Sequence, residues 1–239
     1  MIRTNVVLIG GSGLGPWAWT RVTPFLESSG IDVTLPQLRA TGDDRSAPSG
    51  LALTDWVDDA RAAIQTSPAE TVLVAHSFAG YIVAALLERH PGIARSAIFL
   101  DAALPSPNRS WFEAMGLDTE AFMTSIAVDG AIPFFTMDQL DQVYPGHGLV
   151  ADDWNWMSAR LTPQPIGTYR QAAISRAMDG TATVLAYVCC TRTTPPAADV
   201  SASTPGWNYR ELVSGHWPMV TEPAATAAVI EELAVRLVA

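Results

Sequence analysis

Not one lysine occurs among the 239 residues; all fourteen basic side chains are arginines. Schiff-base chemistry and the lysine of a phosphate-binding P-loop are therefore excluded by composition. Basic charge is scarce altogether. Twenty-four acidic residues against fourteen arginines leave a formal net charge of −10, a field that repels polyanions, so nucleic acid is not an expected partner. The two cysteines, Cys189 and Cys190, are adjacent. Neighbouring cysteines rarely bridge each other, so no disulfide framework is expected. The same two thiols and four scattered histidines give no zinc-type ligand spacing, and neither a metal nor an organic cofactor is implied. Long apolar runs are missing too: none reaches the roughly eighteen residues of a membrane helix. Met1-Ile2-Arg3-Thr4-Asn5 leads straight into Val6-Val7-Leu8-Ile9 without the apolar region and cleavage site of a signal peptide. These absences point to a soluble cytoplasmic protein with no membrane partner.

What is present is a core-forming composition. Half of the chain (49%) is hydrophobic and 16% is charged, which excludes a disordered or fibrous protein, and the length suits one large domain. Short apolar runs recur, each followed by a turn and a helical pattern. Strands are expected at Val6–Ile9, Ile31–Leu35, Thr71–Ala75, Ser96–Leu100, Thr183–Val188 and Asn208–Val213. Between them lie a helix carrying Trp17, Val22, Phe25 and Leu26 on one side, and a second from Leu53 to Ile64 capped by Thr54. A third follows His76-Ser77, and a closing helix from about Glu222 to Leu237 presents Val229, Ile230, Leu233 and Leu237. Alternation of this kind predicts an α/β fold, a mostly parallel sheet of about six strands with helices on both faces. Residues 105–179 break the rhythm. They are aromatic-rich, show no clear strand, and are too long for a simple connection, so they are expected to form a helical cap over a core made of residues 1–104 and 180–239.

The sharpest local signal is Val74-Ala75-His76-Ser77-Phe78-Ala79-Gly80, between a buried strand and an apolar helix. That is the context of a nucleophile elbow, a tight strand-to-helix turn that lifts one side chain above the sheet edge. Its flanking positions must be small, and Ala75 and Ala79 meet this need with Gly80 just beyond. The helix N-terminus also favours negative charge at the serine. Taken alone, Ser77 reads equally well as a helix N-cap.

A serine hydroxyl needs a base. His76 should point away from the tip of the elbow and serve a structural purpose. His90, in Arg89-His90-Pro91-Gly92, belongs to a helix C-terminus, and His147, in Tyr144-Pro145-Gly146-His147-Gly148, suits a solvated loop, with contact to substrate as the alternative. His216, in Ser214-Gly215-His216-Trp217-Pro218, follows the last strand, and in a parallel sheet that loop opens on the same edge as Ser77. It is the expected base. For the acid, Asp101 at a strand tip is preferred to Asp199, several residues into a loop; local backbone capping remains an alternative for Asp101. An acyl-transfer intermediate needs two oxyanion donors. Phe78 N–H and Ser12 N–H are the candidates, the second on the glycine-rich loop Gly10-Gly11-Ser12-Gly13-Leu14-Gly15. That loop is a poor dinucleotide fingerprint, because Pro16 stands where the last glycine belongs. Gly11, Trp217 and Trp154 are expected to contact substrate.

Val6-Val7-Leu8-Ile9-Gly10-Gly11, the elbow at Ser77 and Gly215-His216-Trp217-Pro218, in that order, resemble the α/β-hydrolase family. Within it the chain is similar to the plant methylesterase and hydroxynitrile-lyase-like group and its bacterial relatives. Asp101-Ala102-Ala103-Leu104-Pro105 and Leu161-Thr162-Pro163-Gln164-Pro165 add to the likeness, which spans essentially the whole chain. The resemblance implies an α/β-hydrolase fold and a Ser-His-acid triad. Three departures matter. The family's His-Gly at the oxyanion loop is Gly10-Gly11 here, which removes a side-chain support. Thr193 stands where the family's acid usually does, which makes Asp101 attractive. The lysine of the hydroxynitrile lyases is absent, so that lyase chemistry is not expected.

The expected function is a serine carboxylesterase acting on a small hydrophobic or aromatic ester through Ser77, His216 and Asp101. Two rivals stand beside it. One is a lyase, cyclase or cofactor-free oxygenase on the same fold with His216 as base; the other is a silent ligand-binding module. The partner is a small-molecule substrate, and a homodimer stays open.

Overall fold

In the computed structural model, which describes residues 4–178 and 181–236, the chain alternates as expected. In order come β1 (Asn5–Ile9), α1 (Thr23–Ser28), β2 (Asp32–Thr34), α2 (Leu53–Ala63), β3 (Thr71–His76), α3 (Ala79–Arg89) and β4 (Ser96–Leu100). The stretch that follows holds α4 (Trp111–Met115), α5 (Leu117–Ile126), β5 (Ala131–Ile132), α6 (Met137–Val143), α7 (Ala151–Ser158), β6 (Gln164–Pro165) and α8 (Ile166–Arg170). The chain closes with β7 (Val184–Cys190), β8 (Trp207–Leu212), α9 (Pro218–Thr221) and α10 (Pro223–Arg236). Six strands form one sheet in the order β2-β1-β3-β4-β7-β8, and every pairing in it is parallel.

Strand side chains point alternately to the two faces, and here each face has its own core. Val7, Ile9, Leu73, Ala75, Ala97, Phe99, Leu185 and Tyr187 pack with α2, α3 and α8. Val6, Leu8, Val72, Val74, Ile98, Leu100, Ala186 and Val188 pack with α1, α9 and α10. Strands covered on both faces read as continuous apolar runs rather than as alternation. Register sets up the site: Ile9 pairs with Ala75, Ala75 with Phe99, and Phe99 with Tyr187. The loops after β1, β3, β4 and β7 therefore leave the sheet along one edge.

Several local expectations are corrected. Trp17 to Leu26 is not one helix: Pro16–Trp19 makes a 3₁₀ turn and α1 follows, with Phe25 45% exposed rather than facing inward. Thr54 does not cap α2. The cap position is Ala52, whose N–H is taken by the Asp55 carboxylate at 2.8 Å, while the Thr54 hydroxyl accepts from Gln171 at 2.6 Å. The aromatic-rich stretch does contain strand, the short antiparallel pair β5–β6. Leu237 lies outside the described residues. Among the described residues no helix is long and apolar enough to cross a membrane.

Candidate active site

The turn from β3 into α3 puts Ser77 at φ 55°, a left-handed conformation that few non-glycine residues adopt. Surrounding contacts hold it there. Ser77 C=O accepts from Gly80 N–H at 3.1 Å and Ala103 N–H at 3.0 Å. A Cβ on Gly80 would sit 2.0 Å from the Ala103 carbonyl oxygen, and one on Gly11 would sit 2.5 Å from the Ser77 Cβ. Glycine at both positions is what lets the loops after β1 and β4 close around the serine. The α3 helix, apolar and buried from Ala79 to Leu87, then points its N-terminus at this turn.

His216 bridges to Ser77 from the loop after β8. Its Nε2 lies 2.9 Å from Ser77 Oγ and its Nδ1 lies 2.7 Å from Asp101 Oδ2. A carboxylate can only accept, so Nδ1 carries the proton and Nε2 is left to accept from the serine hydroxyl. Asp101, fully buried, also accepts from Thr193 Oγ1–H at 2.7 Å and Cys190 N–H at 3.1 Å. Burial works to raise its pKa; the hydrogen bonds from His216, Thr193 and Cys190 outweigh that and hold the carboxylate below its ordinary value. Thr193 thus stands beside the acid as a hydrogen-bond donor. Asp199 is exposed and makes no hydrogen bond to His216 among the described residues.

His76 points away from the tip of the elbow and under the base. Its Nε2–H donates to the His216 carbonyl at 2.6 Å. It is fully buried, and desolvation followed by the neighbouring His216 pushes its pKa down to about 3. The imidazole of His216 is gripped on two further sides. Tyr144 stacks flat on it (4.6 Å between centroids, 13°) and Trp217 meets it edge-on (5.0 Å, 84°). His147 is not solvated as expected. It is 5% exposed, accepts from Leu149 N–H at Nδ1 (3.0 Å) and donates from Nε2 to Asp141 (3.0 Å). The Gly215 backbone packs so closely on it that a Cβ there would meet the His147 carbonyl oxygen at 2.3 Å. His147 packs against the loop that carries His216.

Neither Ser12 N–H nor Phe78 N–H donates a hydrogen bond among the described residues, so both remain available near Ser77. Two aromatic groups close around the serine. Phe78 touches Tyr169, which stacks on Trp111 at 4.3 Å; Trp217 touches Tyr144 and Phe134. Of the expected substrate contacts, Gly11 abuts Ser77, while Trp217 is buried against His216 and acts as its support. Trp154 is partly buried against the same core as Trp217, Tyr144 and Phe134 and makes no ring contact with His216 or Trp217 among the described residues. Tyr144 and Tyr169 are the site neighbours that sequence reasoning missed, because each sits in a segment without regular periodicity. A separate cleft of about 520 Å³ at the far end of α3 is lined by Leu87, Glu88, Pro91, Ile174, Arg176 and Met178. Among its described lining residues the carboxylate is Glu88, which accepts from the Ser175 and Arg176 N–H groups at 2.8–3.0 Å.

The chain is 30% identical over 113 residues to methylesterase 8 of Arabidopsis thaliana, a match covering 46% of this chain and 42% of that protein. The match to polyneuridine aldehyde esterase of Rauvolfia serpentina also covers 42% of that protein, so the chain spans about two-fifths of the length of these plant relatives. A carbendazim hydrolyzing esterase from Nocardioides sp. is 26% identical over 233 residues, 92% of this chain and 95% of its own length. Among solved structures, an extracellular alpha/beta-hydrolase from a Paenibacillus species superposes with a TM-score of 0.81 at 16% identity, covering 96% of this chain and 98% of that one. A family model described as the alpha/beta hydrolase family matches residues 6–229.

Proposed function

Because the chain belongs to the alpha/beta hydrolase family, we propose that it is a serine carboxylesterase for small esters with a hydrophobic or aromatic part. The observation that carries this is the unbroken relay Ser77–His216–Asp101, with links of 2.9 and 2.7 Å. Ser77 Oγ attacks the ester carbonyl while its proton passes to His216 Nε2, and the buried Asp101 carboxylate stabilises the imidazolium. The carbonyl oxygen becomes an oxyanion held by Ser12 and Phe78 N–H groups, with the α3 N-terminus adding a favourable field. On collapse, the proton on Nε2 goes to the departing alkoxide. Water then repeats the sequence on the acyl-enzyme and regenerates the serine hydroxyl. The names of methylesterase 8 and the carbendazim hydrolyzing esterase support ester cleavage, and the rings of Phe78, Trp111, Tyr169 and Phe134 around the site support an apolar substrate. The lyase, cyclase or cofactor-free oxygenase rival drew on the altered acid and the altered oxyanion loop; a carboxylate from the loop after β4 lying 2.7 Å from His216 Nδ1 weighs against the first of these grounds.

The test is labelling with a fluorophosphonate alongside turnover of p-nitrophenyl butyrate. Expected is rapid labelling of Ser77, located by peptide mass spectrometry, with turnover lost in both Ser77→Ala and His216→Ala. An unlabelled serine, or no turnover across a panel of aryl and methyl esters, would overturn the proposal.

A further inference from the structure

The loop after β1, which carries the second oxyanion donor, lacks the side-chain support that the family's His-Gly provides. The structure supplies a different one, and it comes from the aromatic-rich stretch rather than from the sheet. Ser12 Oγ and Tyr169 OH are 2.5 Å apart. One residue on, Gly13 N–H donates to Gln164 Oε1 at 3.3 Å, and Gly13 C=O accepts from Thr162 N–H at 3.1 Å. Gln164 is fixed in turn, since its Nε2–H donates to Thr168 Oγ1 at 2.6 Å. Three residues between 162 and 169 thus grip two consecutive residues of the oxyanion loop.

We infer that Tyr169 is a positioning residue for the oxyanion loop, holding Ser12 by its hydroxyl so that the Ser12 N–H faces the carbonyl oxygen as charge develops on it. Several features suit it to this work. Its ring is locked between Trp111, Phe78 and Phe112 at centroid distances of 4.3, 4.7 and 5.4 Å, so the hydroxyl has little freedom to wander. It is 5% exposed, so close packing rather than solvent fixes where the hydroxyl that meets Ser12 sits. Phe78 supplies the other oxyanion N–H, and its ring packs on the same tyrosine. One side chain of α8 therefore sets the position of one donor directly and packs against the residue that carries the other. Transition-state stabilisation by fixed donors depends on their being in place before charge appears, and a displacement near 1 Å costs on the order of 100-fold in rate.

The inference rests on the esterase reading above, and its test separates the two. Steady-state kinetics on p-nitrophenyl butyrate would compare the wild-type chain with Tyr169→Phe, Ser12→Ala and the double variant. In parallel, inhibition by a phenyl trifluoromethyl ketone, which adds to a serine to give a tetrahedral oxyanion, reports on the hole itself. Expected for Tyr169→Phe is a kcat lower by about 10- to 100-fold, KM within about threefold, and ketone affinity falling in step with kcat. Because the two hydroxyls act as one contact, the double variant should lose no more than the worse single one. A kcat within about twofold of wild type, a loss confined to KM, or losses that multiply would each overturn the inference. Should Tyr169→Phe fail to fold, Ser12→Ala cuts the same contact from the loop side and is read by the same criteria. A wild-type chain that cleaves no ester would instead overturn the function from which the inference starts.

Discussion

The loops after β4 and β7 face each other across Asp101, and they have divided one task between them. The first carries the carboxylate, at φ 44° and fully buried. The second carries Thr193, whose hydroxyl donates to that carboxylate, and the last residue of β7, Cys190, donates its N–H to it as well. Both loops leave adjacent parallel strands on the same edge, with Leu100 paired to Val188, so an acid on either could reach one imidazole. What an imidazole needs is a buried acceptor aimed at Nδ1; which strand delivers it is secondary. The loop after β7 and the end of that strand supply donors that help hold the Asp101 pKa below its ordinary value.

The largest effect should come from removing the acceptor. Asp101→Asn puts an amide opposite Nδ1 and invites the wrong tautomer of His216, so kcat on an aryl ester should fall by about 10⁴-fold, while Asp199→Asn leaves it unchanged. The reverse result would reassign the acid. Next in size is relocation. Adding Thr193→Asp to Asp101→Asn should recover at least about tenfold of the lost kcat if the two loops are interchangeable as carriers. No recovery in a folded double variant would mean that only the loop after β4 can aim a carboxylate here.

A smaller effect is expected from Thr193→Val, which removes one donor to the carboxylate. A lost hydrogen bond to a charged group costs about 1.5–3 kcal/mol. The folded-state pKa of Asp101 lies below its usual value, so its contribution to stability is present above the unfolded pKa and is lost as pH falls through the folded one. Raising the folded pKa should shift the acid-unfolding midpoint upward, read by circular dichroism during acid titration. His76 gives a second acid-dependent signal of similar size, which must be separated from this. Its pKa is pushed from 6.5 down to about 3, so stability should decline between those values by up to about 1.4 kcal/mol per pH unit. His76→Gln should flatten that slope in denaturant melts from pH 6.5 to 4, where a carboxylate with a depressed pKa contributes little. A slope unchanged in that variant would assign the acid sensitivity elsewhere.

Much of the fold was legible because the inner strands are covered on both faces and therefore read as plain apolar runs: Val72 to Ala75 and Ala97 to Leu100 are such runs, and both are strands. The elbow was legible from Ala75, Ala79 and Gly80, since a close backbone approach tolerates only small residues, and the structure shows that approach at Gly80. Less legible were boundaries and caps. Asp55 rather than Thr54 secures the start of α2, because a carboxylate one position further along reaches the free N–H better. His147 read as a loop histidine, since nothing local announces that Gly215 will pack on its backbone.

Local chemistry along the chain decided which residues could do the work: a serine on a tight turn, a histidine and an aspartate each just past an apolar strand. Those requirements are short-range, set by backbone sterics and by the pattern of burial, and they leave their mark within a few neighbouring residues. Only the folded chain decided the contacts that support these residues. Thr193 reaches Asp101 across 92 positions, and Tyr169 reaches Ser12 across 157. Such contacts follow from strand order and from how one long excursion returns over the sheet. Hydrogen bonds act over about 3 Å, so no property of the isolated segments foretells them.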